Sequence, residues 1–129
     1  MEIPDNLLYT KEHEWILLDG KVATIGITDY AQEQLGDIVF VDLPGKEHEF
    51  HKEETFGVVE SVKSVSDCLT PLSGKVVDIN DSLTDNPAII NESPYDEGWM
   101  IKLEISNSDE VSKLLSPATY KKYVTEEAG

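Results

Sequence analysis

The segment from Gly57 to Asp67 (GVVESVKSVSD) constrains the fold most, because it is nearly symmetric about the Lys63-Ser64 pair. Valines flank that pair, serines follow on either side, and Glu60 and Asp67 lie outside the serines. Two antiparallel strands that oppose matching residues across their ladder would produce this symmetry. We therefore expect a β-hairpin whose two turn residues are Lys63 and Ser64. This turn lacks the Asn-Gly or Asp-Gly that marks most tight hairpins. A lysine therefore occupies a turn position at which a glycine would cost less conformational free energy.

Most of the remaining chain reads as short strands separated by turn residues. Asp19-Gly20 predicts a type I′ turn between two of these strands. Pro44 ends another, and a polar connection follows it at 45–55. The predicted strands are 15–18, 21–27, 38–43, 56–62, 65–70, 76–79 and 99–105. Many short strands of this kind are typical of a β-sandwich or a flattened barrel.

Two regions have helical signals instead. Thr28 and Asp29 are good N-cap residues for a short helix that Gly36 can end. In the C-terminal tail, residues 109–115 place Val111, Leu114 and Leu115 on one helical face. Pro117 can open a second helix there, with Tyr120 and Val124 on its inner side.

A faint internal repeat surrounds the hairpin. The segments Gly36–Val41 (GDIVFV) and Gly74–Ile79 (GKVVDI) are 74 − 36 = 38 positions apart. Duplicated half-sheets would give this pattern, and so would a chance match between two β-rich segments. Val39 and Val77 occupy matching places in it. If both are buried, truncating either should cost about 2–4 kcal/mol.

Composition narrows the classes of function. With 26 acidic and 10 basic residues among 129, the formal charge is −16, which argues against nucleic acid or an anionic membrane surface as a partner. The length suits a single domain, and no apolar run approaches the roughly 20 residues of a membrane span. No export or transit signal is visible in the first residues, and none is expected. Cys68 is the one cysteine, which excludes an internal disulfide and is typical of a reducing compartment.

No group of residues has the pattern of a catalytic site. The histidines are His13, His48 and His51, and the last two lie in a charged loop with only two imidazoles, whereas a structural zinc site usually needs four ligands. There is no phosphate-binding glycine loop. The sequence therefore predicts no metal site and a protein that is acted upon rather than an enzyme.

Four ordered segments resemble the glycine cleavage H-protein family. They are YTKEHEW (9–15), GITDYAQEQLGDIVFVDLP (26–44), ESVKSVSD followed by PLSGKVVDIN (60–80), and INESPYDEGWMIK (90–102). The resemblance covers about residues 9–115. It implies a mainly β, barrel-sandwich fold of the lipoyl/biotinyl-type hybrid class, with short helices in the N-terminal half and at the C-terminus. It also implies one lipoyl-carrier domain over 1–129, with a core at about 9–115 and a helical tail at about 108–125.

The resemblance further implies a function. Lys63 would carry lipoate in amide linkage, and the arm would take an aminomethyl group from the pyridoxal-phosphate glycine decarboxylase (P protein) to the tetrahydrofolate-dependent aminomethyltransferase (T protein). Dihydrolipoamide dehydrogenase (L protein) would then reoxidise it. A lipoylating enzyme is a fourth implied partner. The chain would work as a monomer in the cytoplasm, or in the mitochondrial matrix if a transit peptide has been removed.

The resemblance also implies roles for three carboxylates, of which Glu14 and Asp67 match positions of the family's motif. Glu14 and Asp67 are the expected partners of the ammonium group on the loaded arm, and the alternative is that both are ordinary exposed charges. Glu60 is expected to be a specificity mark for the lipoylating enzyme, or else a charge on the strand surface. Loop 44–52 departs from the family pattern, so its role stays open.

The neighbours of Lys63 separate related carriers. Biotinyl domains have methionine on both sides of their lysine, whereas Val62 and Ser64 flank this one. One alternative function is a lipoyl relay that donates to other lipoyl domains, or a related sulfur carrier. Another, from a different class, is an acidic binding module in which Lys63 is inert. Neighbouring genes would distinguish the relay or sulfur carrier from the aminomethyl carrier. The intact mass of the protein would distinguish the binding module, in which Lys63 is unmodified, from a lipoyl carrier.

Overall fold

The computed structural model describes residues 1–128, with side chains through Glu126, so Gly129 of the predicted domain lies outside it. Nine strands are described: β1 Leu8–Tyr9, β2 Glu14–Asp19, β3 Val22–Ile27, β4 Ile38–Asp42, β5 Glu49–Phe50, β6 Thr55–Ser61, β7 Val65–Leu69, β8 Gly74–Ile79 and β9 Ile101–Ile105. The helices are α1 Asp29–Leu35, α2 Ser82–Asp85, α3 Ile89–Glu92 and α4 Pro117–Ala128, with a 3₁₀ segment at Ser108–Lys113. The predicted mainly β chain with short helices is confirmed.

The strands form two antiparallel sheets. One has six strands in the order β1-β2-β3-β9-β8-β5, and the other has three in the order β4-β6-β7. The main core joins them, because Ile25, Val76 and Leu103 of the large sheet and Val59 of the small sheet are all fully buried in one cluster. The small sheet is the one that carries the hairpin, so a packed core supports its base.

A second cluster attaches the C-terminal helix. Tyr120 and Val124 of α4 pack with Tyr9 and Trp15, and the rings of Tyr9 and Tyr120 stack with centroids 4.6 Å apart. The predicted inner face of this helix is therefore confirmed. The preceding tail differs from the prediction, because it is 3₁₀ rather than α-helical and Leu115 instead pairs with Tyr9 as an isolated bridge.

Several short elements and one turn were not predicted correctly. The two-residue strands β1 and β5 and the helices α2 and α3 lack any periodic pattern long enough to read. In the first hairpin, Asp19 pairs with Val22, so the turn residues are Gly20-Lys21. Of these two turn residues, only Gly20 has a positive φ, of 62°. This is the pattern of a type II′ turn rather than the predicted type I′ turn.

The expectation that Val39 and Val77 are buried is wrong. Val39 is 56% exposed and Val77 is 38% exposed. A register shift lies between Ile38 and Phe40 in β4, and another between Val76 and Asp78 in β8. In each case the valine is the extra residue of a β-bulge, which breaks the alternation of faces along the strand. Since the bulges fall at matching positions, they favour true duplication of the repeat over chance.

Candidate functional site

The Lys63 turn is closed by the side chain and backbone of Ser61. The Ser61 N–H donates to the Ser64 carbonyl at 2.8 Å. The Ser61 hydroxyl oxygen accepts from the N–H groups of Lys63 and Ser64, at 3.3 and 3.1 Å. The turn centre is therefore Val62-Lys63, with Glu60 opposite Val65 and Val58 opposite Asp67. The predicted centre at Lys63-Ser64 is wrong by one residue, because the serine hydroxyl stabilises the earlier turn.

The tip is also tied to the neighbouring helix end. The Val62 N–H donates to the carbonyl of Asp37 at 3.0 Å. Gly36 ends α1 with φ at 78°, and a Cβ placed on it would lie 3.0 Å from Cε of Lys63. The positive φ favours a glycine there, and the missing side chain leaves room for the lysine stem. Lys63 is exposed, so its amine is open to a modifying enzyme while its base is held.

Glu60 lies on the outer face of the small sheet. It pairs with Phe40 on β4 and with Val65 on β7, so the three side chains form one row. Phe40 is 48% exposed and Val65 is 63% exposed, and Glu60 is half-buried between them. The carboxylate stands on the same hairpin as Lys63, in a position that a protein approaching the tip would meet.

Glu14 is buried, with 3% of its surface exposed, so the alternative that it is an ordinary exposed charge is wrong. The Thr10 hydroxyl donates to its Oε1 at 2.6 Å and accepts from its N–H at 3.1 Å. The residue before it, His13, has a φ of 71°, which is uncommon for a side chain other than glycine. The tight bend from Thr10 to His13 thus turns the carboxylate inward at the start of β2.

Burial raises the pKa of Glu14 to about 7. The nearby charge of Glu12 raises it further, whereas the hydrogen bonds from Thr10 and from the Leu69 backbone lower it. The group therefore changes charge near neutral pH, and a cation beside it would favour the ionised form.

Glu14 and Asp67 line the same cleft, of about 300 Å³. Its apolar wall includes Ile27, Ala31, Leu35 and Cys68. Leu35 lines the cleft and directly precedes Gly36, on which the Lys63 stem lies, so the cleft wall and the lysine stem meet at adjacent residues. The predicted pair is brought together in this cleft, with Glu14 buried and Asp67 exposed. An apolar arm that ends in a cation fits this lining.

The glycine cleavage H-protein family model matches residues 7–127 of the chain. The chain belongs to this family. The glycine cleavage system H protein of Carboxydothermus hydrogenoformans is 54% identical over 125 residues, which are 97% of this chain and 96% of that protein. That of Staphylococcus epidermidis is 50% identical over 126 residues, which are 98% of this chain and all of that protein.

A solved structure extends the match to the fold. The crystal structure of a glycine cleavage system H protein from Mycobacterium marinum is 34% identical and gives a TM-score of 0.82, over 98% of this chain and 100% of that chain. The predicted barrel-sandwich fold is confirmed. As a family member the protein is a carrier component of the glycine cleavage system and not one of its enzymes, and H-proteins carry lipoate.

The structure also bears on metal binding and on membrane spanning. Within residues 1–128, no three His, Cys, Asp or Glu side chains come together in a way that could hold a metal ion. His48 instead packs on Phe50, with ring centroids 4.3 Å apart. None of the described helices is long and apolar enough to cross a membrane.

Sequence reasoning missed three contributors to the site. Thr10 holds Glu14, Gly36 receives the Lys63 stem, and Cys68 lines the cleft. Burial raises the pKa of the Cys68 thiol well above its usual range, so this cysteine remains a neutral, apolar part of the wall. The signal for Gly36 was present in its helix-ending position, but its contact with the hairpin depends on the tertiary fold.

Proposed function

We propose that Lys63 is the lipoyl attachment residue of one carrier domain spanning residues 1–129. The observation that carries the proposal is that the Lys63 stem and the cleft meet at adjacent residues at the end of α1. The Lys63 stem lies on Gly36, the adjacent Leu35 lines the cleft, and the same cleft contains the carboxylates of Glu14 and Asp67. A tied turn, an exposed amine and an apolar cleft suit a long arm that is attached at one place and shielded at another.

The protein's role is to carry an aminomethyl group from glycine decarboxylase to the aminomethyltransferase. The bound lipoyl group supplies the disulfide that accepts this group, and dihydrolipoamide dehydrogenase regenerates the disulfide afterwards. The chain itself contributes position, shielding from water and a counter-charge. We further assign it to the cytoplasm as a monomer, and the single cysteine favours this reducing location.

Glu14 holds the ammonium of the cargo, with Asp67 at the cleft edge. Because Glu14 is buried, its attraction to a cation in the cleft is screened less than that of an exposed pair, and the desolvation of the two charges offsets part of this gain. At neutral pH a cation entering the cleft also displaces the proton that Glu14 partly retains, since its pKa is about 7.

Reconstitution with the three enzymes of the system tests the function. The lipoylated chain should support glycine-dependent formation of methylene-tetrahydrofolate, and Lys63→Arg should not. Failure of the wild type here, together with efficient transfer of its lipoyl group to a second lipoyl domain, would favour the relay alternative instead.

A second measurement tests Glu14 separately. Glu14→Gln should accelerate loss of the carried group to water at least three- to fivefold in the absence of the aminomethyltransferase, which corresponds to about 1 kcal/mol. Dithiol reoxidation should be unchanged, because it does not use the amine. Equal lifetimes would exclude Glu14 as the holding group without affecting the assignment of Lys63.

A further inference from the structure

An apolar surface surrounds Lys63 on the outside of the small sheet. Four of the seven large hydrophobic side chains that are exposed in the described part of the chain lie here. They are Val39 at 56%, Phe40 at 48%, Val62 at 70% and Val65 at 63% exposure. We call these four residues the tip patch. Contiguous exposed apolar side chains of this kind are typical of interaction sites.

The patch is compact because of the strand register. Phe40, Glu60 and Val65 form one row across three strands, so the two apolar members lie about 10 Å apart. The bulge at Val39 leaves two consecutive residues of β4 exposed. Val62 lies in the turn that joins the other two strands of the sheet, and its N–H bonds to the Asp37 carbonyl next to the start of β4.

Apart from Lys63 itself, the charged side chains that the strands of this sheet contribute around the patch are acidic. Asp42, Val58 and Asp67 form the next row of the same face, and Glu60 stands within the patch. The three strands of this sheet contain no lysine or arginine. A partner that covers the patch would therefore present apolar side chains bordered by basic residues.

We propose that the tip patch is the docking surface for the enzyme that forms the amide on Lys63. This inference rests on the proposed lipoyl attachment and identifies the partner of that site. An unmodified lysine reaches only ~6 Å from Cα to Nζ, so the enzyme must bring its acyl donor directly against the turn. It then covers the side chains nearest the lysine.

The later partners face a different geometric constraint. A lipoyl arm adds several bonds to the lysine and reaches about twice as far. Enzymes that act at the end of this arm can bind elsewhere on the chain and still receive it. The requirement to contact Val62 and Val65 thus applies most strictly to the lipoylating enzyme.

The reaction at this surface is an acyl transfer. The neutral Nζ attacks the carbonyl carbon of a lipoyl adenylate, which is made from lipoate and ATP with release of pyrophosphate. The new C–N bond forms, the C–O bond to AMP breaks, and AMP leaves with the bonding electron pair. The amine loses one proton to solvent. The patch takes no part in these bond changes and only holds the two proteins together.

The test uses the full chain prepared without lipoate, a lipoate–protein ligase, lipoate and Mg-ATP. Intact mass gives the initial rate, and calorimetry without ATP gives the affinity of the chain for the ligase. Phe40→Ser and Val65→Ser remove patch side chains. Val77→Ser is the matched control, because this valine is also exposed at a bulge but lies on the other sheet. Urea unfolding confirms that each variant is folded.

Each patch variant should lower kcat/KM for lipoylation about tenfold, which is ~1.4 kcal/mol, and weaken ligase binding similarly. Val77→Ser should stay within about twofold, and patch variants that have been fully loaded by long incubation should be reoxidised by dihydrolipoamide dehydrogenase at the wild-type rate. Unchanged lipoylation in both patch variants overturns the proposal. If lipoylation is unchanged and exchange by glycine decarboxylase is slower, the proposal is also overturned and the patch is assigned to that enzyme. If lipoylation is unchanged and self-association is lost, the patch is assigned to a second copy of the chain. A wild type that remains unmodified overturns the proposed function as well.

Discussion

The two repeated segments, Gly36–Val41 and Gly74–Ile79, share a backbone design and differ in what they present to solvent. Ile38 and Val76 are buried, and each is followed by an exposed valine at a β-bulge. The next residue is Phe40 in the first segment and Asp78 in the second. The segments therefore contribute alike to the core and differently to the surface.

The differences follow the position of Lys63. In the second segment, Asp78 pairs with Lys46 at 3.7 Å and Lys75 pairs with Glu47 at 3.4 Å. Exposed pairs of this kind add little stability, but they leave that surface polar. In the first segment the matching positions, Phe40 and Asp37, provide an apolar side chain and the carbonyl that holds the hairpin tip. The two segments thus differ in the residues that they place around Lys63 and on the opposite sheet.

The largest expected effects come from the shared part of the design. Ile38→Ala should lower the free energy of unfolding by about 2–5 kcal/mol, because it leaves a cavity in the core. Val76→Ala should cost about 2 kcal/mol for the same reason. Val39→Ala and Val77→Ala should stay within about 0.5 kcal/mol. Urea unfolding checks all four, and a large cost at either exposed valine would show that the bulges do not turn them outward.

The raised pKa of Glu14 should make the free energy of unfolding depend on pH in a way that exposed surface carboxyls do not. Its pKa is about 7 in the folded state and 4.5 for the unperturbed group, so the folded chain retains a proton that the unfolded chain loses. The retained proton stabilises the folded chain, and this contribution to the free energy of unfolding is fully present below pH 4.5. It is lost as the pH rises to about 7, which is a change of about 3 kcal/mol.

Glu14→Gln should remove this part of the pH dependence. The measurement is the free energy of unfolding at pH 5 and pH 7.5 for both proteins, and the difference between them cancels the titration of the other carboxyls. Relative to wild type, the variant should gain stability at the higher pH. Parallel curves for the two proteins would mean that Glu14 titrates as an exposed carboxyl.

Gly36→Ala tests the contact between the helix end and the lysine stem. With φ at 78° and ψ at −155°, Gly36 lies in a region that is essentially restricted to glycine, so an alanine there costs about 1–3 kcal/mol, and the new Cβ also displaces Lys63. Gly20→Ala is the matched control, because its φ is 62° with nothing within 4 Å of the added atom. Both variants should lose similar stability, but only Gly36→Ala should shorten the lifetime of the carried group. Equal lifetimes in both would place the arm elsewhere.

The smallest expected effect is that of the lysine itself. Lys63→Gln should change the free energy of unfolding by less than about 0.5 kcal/mol, because the side chain is exposed and contributes little to the core. A calorimetric scan of the unlipoylated proteins checks this. A large fall in melting temperature would give Lys63 a structural role.

The sequence predicted the framework and the hairpin around Lys63 because both depend on local patterns. Strand alternation, the cap at Thr28 and the symmetric run around Lys63 are properties of neighbouring residues. The hairpin register could not be derived, because it depends on whether the Ser61 hydroxyl or the valine symmetry decides the turn. The bulges at Val39 and Val77 were equally hidden, since alternating patterns assume a regular ladder.

The buried state of Glu14 depends on distant parts of the chain. Its cleft is lined by residues of α1 and β7 as well as by its own strand. No local pattern distinguishes Glu14 from Glu12, which is exposed two residues earlier. Likewise β5 forms within a polar segment only because β8 offers it an edge for pairing.

Peptide mapping after lipoylation tests the central claim most directly. The wild type should gain one lipoyl group, on Lys63, and Lys63→Arg should gain none. Lys75→Arg is the internal comparison, because Lys75 lies in the repeated segment of the other sheet, and it should be modified like the wild type. A lipoyl group on Lys75, or one that persists in Lys63→Arg, would contradict the account.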